Sequence, residues 1–193
     1  MALLACVLAV VSGPTVVARG AAEPAWGVEQ LMVELGRVQH AKAGFIERKH
    51  LKILKKPLEI TGTLEYRAPD HVARHTLTPK PESFVVDGDR LVLENARGQR
   101  RNLALQDNPV LWAFVESIRS TLKGDLATLD RFYQVTLEGG PESWQLALSP
   151  KEPRMRAIID VIRMSGINGR IEAIEIREAQ GDWSEMTIHE DER

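Results

Sequence analysis

The segment LEITGTLEYR (58–67) alternates apolar and polar residues over ten consecutive positions. Successive side chains of a strand point to opposite faces, so this period of two predicts a β-strand with one apolar face. Its apolar set is Leu58, Ile60, Gly62, Leu64 and Tyr66. The same alternation recurs further along the chain, on Leu91 and Leu93, on Trp144, Leu146 and Leu148, on Ile174 and Ile176, and on Met186 and Ile188.

Turn signals separate these segments. Asp87-Gly88, Gly139-Gly140, Asn168-Gly169 and Gly181-Asp182 each stand between two alternating runs. Such pairs supply the positive φ angles of tight hairpins, so they predict that neighbouring strands are antiparallel. The strands follow one another without βαβ alternation, which indicates an antiparallel meander of nine to eleven strands and not a parallel sheet.

Two or three helices interrupt the strands. Between Ala25 and Gln39 the apolar residues recur at three- and four-residue spacing, typical of an amphipathic helix. A second apolar stripe runs from Pro109 to Gly124, and Asp125 can cap a short third helix. The predicted fold is α+β: an incomplete antiparallel β-barrel, a half-barrel, with a helical lid on its concave face.

The N-terminal residues have the features of an export signal. Residues 2–11 are almost wholly apolar but too short to span a bilayer. Residues 18–20 and 20–22 both fit small-x-small cleavage sites, so we expect a signal peptide at 1–22 and one domain at 23–193. A buried N-terminal element, a retained anchor and lipidation at Cys6, the only cysteine, are the alternatives.

The composition and motifs argue against several classes of function. With 25 Lys and Arg against 27 Asp and Glu, the net charge of -2 argues against a nucleic-acid partner. No GxSxG, HExxH, Walker or GxGxxG motif is present. His71 and His75 are four residues apart on a predicted strand, a separation of about 13 Å that is too large for one metal. We therefore expect no enzyme activity, no catalytic residue, no metal and no cofactor.

Three consecutive segments resemble the outer-membrane lipoprotein carrier family, LolA. They are VQHAKAGFIERKH (38–50), GTLEYRAPDHVARHTLTPKPE (62–82) and SFVVDGDRLVLEN (83–95). The resemblance implies a periplasmic carrier whose apolar cavity holds the acyl chains of a lipoprotein, a lipid or a polyene-like amphiphile. It also implies inner-membrane donor and outer-membrane acceptor proteins as partners, and we expect the carrier to be a monomer. A scaffold of the same fold that transports nothing is the alternative function, and an enzyme acting on lipid is a third.

The resemblance also suggests which residues line the cavity. The first choices are Leu64, Tyr66, Phe84, Val86, Leu91 and Leu93 from the sheet, and Trp112, Phe114, Val115, Ile118 and Leu122 from the lid; Trp144, Leu146, Ile159 and Ile174 are second choices. Each of these side chains could instead be ordinary packed core.

One position departs from the family pattern. The family's carriers place an Arg directly before the Pro that ends this strand, where it is implicated in holding the lid. Here Ala68 stands at that position and Arg67 one residue earlier. Because a shift of one residue turns a strand side chain to the other face, Arg67 is not expected to take that role. Val72 replaces a bulky aromatic of the family, so the cargo and receptor are expected to differ.

Overall fold

The computed structural model describes residues 26–107 and 109–190. Eleven strands form one antiparallel sheet in the order β6-β5-β4-β3-β2-β1-β11-β10-β9-β8-β7. The first six strands are β1 (His40–His50), β2 (Leu58–Arg67), β3 (His71–Thr78), β4 (Glu82–Asp87), β5 (Arg90–Glu94) and β6 (Arg100–Ala104). The last five are β7 (Tyr133–Gly140), β8 (Ser143–Pro150), β9 (Ile159–Ile167), β10 (Arg170–Glu178) and β11 (Trp183–Glu190).

Pairing of the first strand with the last joins the two halves of the sheet. β1 lies between β2 and β11, and Phe45 is opposite both Gly62 and Ile188. The terminal strands β6 and β7 each pair on one side only within the described residues, so the barrel is open. The predicted α+β fold, an incomplete antiparallel barrel, is confirmed.

The helices are α1 (Val28–Gly36), α2 (Pro109–Lys123), α3 (Leu126–Phe132) and α4 (Pro153–Arg156). A 3₁₀ turn at Leu105–Asp107 precedes α2. α1 is shorter than the predicted span, and α4 was not predicted. The third helix begins as expected, because the Asp125 carboxylate accepts a hydrogen bond from the Thr128 N–H at 3.0 Å.

The turns differ from the prediction at two hairpins. Asp87 belongs to β4, so the turn there is formed by Gly88 and Asp89. Gly139 and Gly140 belong to β7, and the chain reverses at residues 141–142 instead. The Asn168-Gly169 turn is confirmed, with Asn168 at a φ of 51°. The predicted signal peptide, including Cys6, lies outside the described residues.

Helices α1, α2 and α3 cover one face of the sheet, which we call the inner face. The larger hydrophobic core lies there, between the helices and strands β7–β10, and includes Leu31, Leu35, Leu129, Trp144 and Ile162. A smaller core lies near the opposite edge of the sheet, where Val86, Leu91 and Leu105 pack against Val115 of α2.

Candidate functional site under helix α2

The candidate site is the inner face beneath α2, where most of the predicted lining residues meet. Val86, Leu91 and Val115 are buried in the smaller core, with Phe84, Leu93 and Trp112 partly buried against it. Trp144, Leu146 and Ile159 are buried in the larger core, with Trp112, Phe114 and Ile174 packed against it. Leu64, Tyr66, Ile118 and Leu122 belong to neither core.

Trp112 is the residue that joins the two cores, since its partly buried side chain packs against both. Its indole ring meets the Phe132 ring edge-on at a centroid distance of 5.1 Å. Phe114, Ile118 and Leu122 of α2 and Phe84 and Leu93 of the sheet are also only partly buried. α2 therefore lies over the sheet without burying all the apolar surface there.

An ion pair lies on the inner face among these apolar residues. Cross-strand register places Glu47 in one row with Leu146, Met164, Ile174 and Met186, so its side chain belongs to the inner face. Glu47 is 8% exposed, and its Oε2 atom accepts a hydrogen bond from Arg74 Nη2 at 2.5 Å. The Arg74 guanidinium also lies 4.8 Å from the centre of the Phe45 ring.

A second group of charges fixes α2 to the sheet. Arg119 Nη2 and Lys123 Nζ each lie 2.6 Å from Oδ1 of Asp70, in the β2–β3 turn. Arg119 also donates a hydrogen bond to the Gly88 carbonyl in the β4–β5 turn. Hydrogen bonding by Lys123 lowers the pKa of Asp70, and Arg119 lowers it further. We call these contacts the Asp70 latch.

Tyr66 lies close to the latch. Burial raises the pKa of its phenol, the negative charge of Asp70 adds to this, and the positive charge of Arg119 opposes it. The tyrosine therefore stays neutral beside the charged groups.

The C-terminal end of α2 is also held by α1. A Cβ atom on Gly124 would lie 2.0 Å from the Met32 carbonyl oxygen, and one on Gly36 would lie 2.8 Å from the Lys123 carbonyl oxygen. Gly124 has a φ of +69°, which ends the helix in the left-handed region. Nearer the start of α2, the buried Tyr133 hydroxyl donates a hydrogen bond to the Ala113 carbonyl at 3.3 Å. The C-terminal end of α2 is thus held by charge and close backbone contact, whereas the contacts of its N-terminal half include the Tyr133 hydrogen bond and apolar packing.

Arg67 does not take part in this arrangement. Its Nε atom lies 3.1 Å from Glu65 Oε1, and its Nη2 atom lies 3.1 Å from His71 Nε2, on the outer face of the sheet. Arg67 thus lies on the face of the sheet opposite to α2. The cations that hold α2 come from the helix itself, and sequence reasoning missed them. The only signal was the four-residue spacing of Arg119 and Lys123, which places both on one side of a helix.

Two polar concavities lie on the outer side of β7–β9. Their volumes are about 350 and 320 Å³, and they share Ser149 and Asp160 as lining residues. Ile159 is the only candidate residue that lines either of them. Among the described residues, no three His, Cys, Asp or Glu side chains are placed to hold a metal, and no helix is long and apolar enough to span a membrane.

Comparison with known proteins agrees with this architecture. The family model described as outer membrane lipoprotein carrier protein LolA-like matches residues 20–189. The chain belongs to this LolA-like family. An outer-membrane lipoprotein carrier protein from Hahella chejuensis is 21% identical over 165 residues, covering 83% of this chain and 75% of the relative.

Solved structures resemble this LolA-like chain more distantly. A LolA superfamily protein from Nitrosomonas europaea has a TM-score of 0.42 and 9% identity, covering 84% of this chain and 90% of that protein. The MucA/MucB complex of Pseudomonas aeruginosa contains a chain with a TM-score of 0.45 and 14% identity, covering 83% of this chain and 55% of that one.

Proposed function

We propose that this LolA-like protein is a non-enzymatic carrier that binds acyl chains between α2 and the inner face of the sheet. Its cargo is a lipoprotein or a related amphiphile. It works in the periplasm, receiving cargo from an inner-membrane donor protein and delivering it to an outer-membrane acceptor protein. Family membership supports this role, and the partly buried apolar side chains on both sides of the α2–sheet contact are the observation that carries it.

The physical need for such a carrier is large. Burying one CH₂ group is worth about 0.8 kcal/mol, so a single sixteen-carbon chain costs on the order of 12 kcal/mol to expose to water. A carrier has to cover that surface and still release it. Trp112 on α2, which packs against the smaller core together with Phe84 and Leu93, and Phe114, which packs against the larger core, offer apolar surface for the purpose.

The way α2 is held defines how the site would open. The Asp70 latch and the close contact at Gly124 hold its C-terminal end. The N-terminal half, with Trp112, lies away from the latch and can then move from the sheet, breaking contacts that include the Tyr133–Ala113 hydrogen bond and apolar packing. Acyl chains would replace those apolar contacts, so opening costs little when cargo is present.

Fluorescence quenching tests where the chains bind. The four tryptophans include Trp112, which lies on α2 and packs against both cores, and Trp183, which stacks on His50 at 3.8 Å on the outer face. Fatty acids brominated along the acyl chain quench a tryptophan that they touch. We expect Trp112→Phe to remove most of the quenching and Trp183→Phe to leave it intact. Equal loss in both variants, or no quenching of the wild type, would contradict the proposed site.

Two further measurements separate binding from transport. Native mass spectrometry of protein isolated from its cell envelope should reveal a co-purifying amphiphile, identified by lipid extraction. Trp112→Glu should abolish acyl-chain binding and retain the circular dichroism of the sheet, whereas global unfolding would show that Trp112 is structural core. If cargo binds but does not move between membrane fractions, the protein is the non-transporting scaffold instead.

A further inference from the structure

Three connecting segments at one end of the sheet form a continuous surface, which we call the basic rim. They are residues 51–57 between β1 and β2, 151–158 between β8 and β9, and 179–182 between β10 and β11. The Lys52 backbone N–H donates a hydrogen bond to Asp182 Oδ1 at 2.9 Å, and the Ala179 N–H donates one to the Ile158 carbonyl at 2.9 Å. Hydrogen bonds therefore join all three segments.

The basic rim has a charge opposite to that of the whole chain. It contains six cations and two carboxylates, so its net charge is +4, whereas the chain carries -2. The cations are Lys52, Lys55, Lys56, Lys151, Arg154 and Arg156, all exposed. Within the described residues no carboxylate lies within salt-bridge distance of Lys55 or Lys56. At the opposite end, the hairpin turns 68–70, 88–89 and 141–142 carry three carboxylates and no cation.

Apolar side chains project from the same surface. Ile53 is 88% exposed, more than any other large apolar side chain of the described residues, and Leu54 and Ile158 are exposed too. The loop between β1 and β2 that carries Ile53 is held by a turn hydrogen bond from the Leu54 N–H to the Leu51 carbonyl at 2.8 Å. The stack of His50 on Trp183 lies directly below it. Ile53 is thus presented outward by a supported loop, with lysines on either side.

We propose that the basic rim docks the protein on an anionic lipid bilayer. In that position Ile53 and Leu54 enter the headgroup region, and the lysines contact lipid phosphates. Cations beside an anionic leaflet and apolar side chains at its interface each contribute to binding. A bilayer fits better than an acidic protein, because a single protruding Ile53 needs no complementary pocket in a fluid interface. This inference goes beyond cargo binding and does not depend on it.

Vesicle sedimentation tests the charge contribution. The purified protein should co-sediment with phosphatidylglycerol–phosphatidylethanolamine vesicles and stay in solution with phosphatidylcholine vesicles. K55A/K56A should lower the partition coefficient by about fivefold per lysine removed. The control K42A/R90A removes the same charge from exposed residues away from the basic rim and should leave partitioning unchanged. Equal loss in the two double variants would overturn the proposal.

A matched pair of apolar substitutions tests insertion. Ile53→Asn should reduce partitioning about tenfold, as expected when an apolar side chain leaves an interface. Val33→Asn, on α1 and 57% exposed, should have no effect. If K55A/K56A lowers the partition coefficient but Ile53→Asn does not, the basic rim recognises charge alone, as expected for an acidic protein partner. That result would contradict the bilayer proposal. Unchanged circular dichroism and unchanged quenching of Trp112 by brominated acyl chains show that the variants are folded and separate this result from cargo binding.

Discussion

Removing the Glu47 charge should destabilise the fold far more than removing an exposed charge from the adjacent strand β2. The Glu47 side chain is 10% exposed and that of Arg74 is 34% exposed, with 2.5 Å between Oε2 and Nη2. Breaking a fully buried pair costs about 3–5 kcal/mol. Because Arg74 keeps partial access to water, we expect Glu47→Gln to lower the free energy of unfolding by roughly 2–3 kcal/mol.

The neighbouring Arg48–Glu59 pair provides the control. It links β1 to β2, whereas Glu47–Arg74 links β1 to β3; its side chains are 62% and 60% exposed and its atoms are 3.6 Å apart. Glu59→Gln should therefore cost no more than about 0.5 kcal/mol. Urea unfolding followed by circular dichroism measures both variants, with the midpoint expected to shift at a constant slope.

A double replacement completes the test. Glu47→Leu with Arg74→Met removes both charges and extends the apolar surface of the inner face, so it should recover most of the stability lost in Glu47→Gln. The reasoning is refuted if Glu47→Gln and Glu59→Gln cost the same, or if the double variant is the least stable of the set.

Two further variants test how α2 is held. The lowered pKa of Asp70 means that its ion pairs contribute stability above the ordinary carboxyl pKa of about 4, and that this contribution is lost as pH falls through the lowered native value. Hydrogen-exchange protection of α2 should accordingly fall in acid, and Asp70→Asn should show weak protection already at neutral pH; protection equal to that of the wild type would exclude the latch. Burial raises the pKa of Tyr133 to about 12, so its hydroxyl stays a donor to Ala113 throughout the neutral range. Tyr133→Phe should lower the free energy of unfolding by about 1 kcal/mol in urea, and no change would show that this hydrogen bond contributes nothing.

The sequence predicted the strands whose apolar residues alternate and missed those that lack this pattern. β2 was predicted because its inner face is apolar. β6 was not, because all five of its residues (Arg100–Ala104) are exposed and only its backbone pairing with β5 makes it a strand. Alternation also places Gly62 on the inner face, but it does not explain why this residue is a glycine. A Cβ atom would lie 2.7 Å from the Phe45 ring and 2.0 Å from the His75 carbonyl oxygen.

The sequence predicted the apolar residues of the candidate site but not its charged residues. Apolar periodicity predicted Val115 on the apolar stripe of α2, and the resemblance suggested Trp112 as a lining residue. Val115 belongs to the smaller core and Trp112 packs against it. Glu47 and Arg74 are 27 positions apart, and Asp70 and Arg119 are 49 apart, so local spacing gives no indication of either pair. Such contacts depend on how the sheet curves and on where α2 crosses it, which pattern analysis does not supply.

The exposed edge at β6 has a consequence for self-association. A terminal strand carries a row of unsatisfied N–H and C=O groups on which a second copy could stack, continuing the sheet from molecule to molecule. Arg100 and Arg101 stand on that strand, and two such edges approaching each other would bring like charges together. Only five residues long, the strand also provides few backbone groups for pairing. Repulsion and brevity together disfavour the stacking of a second copy on this edge.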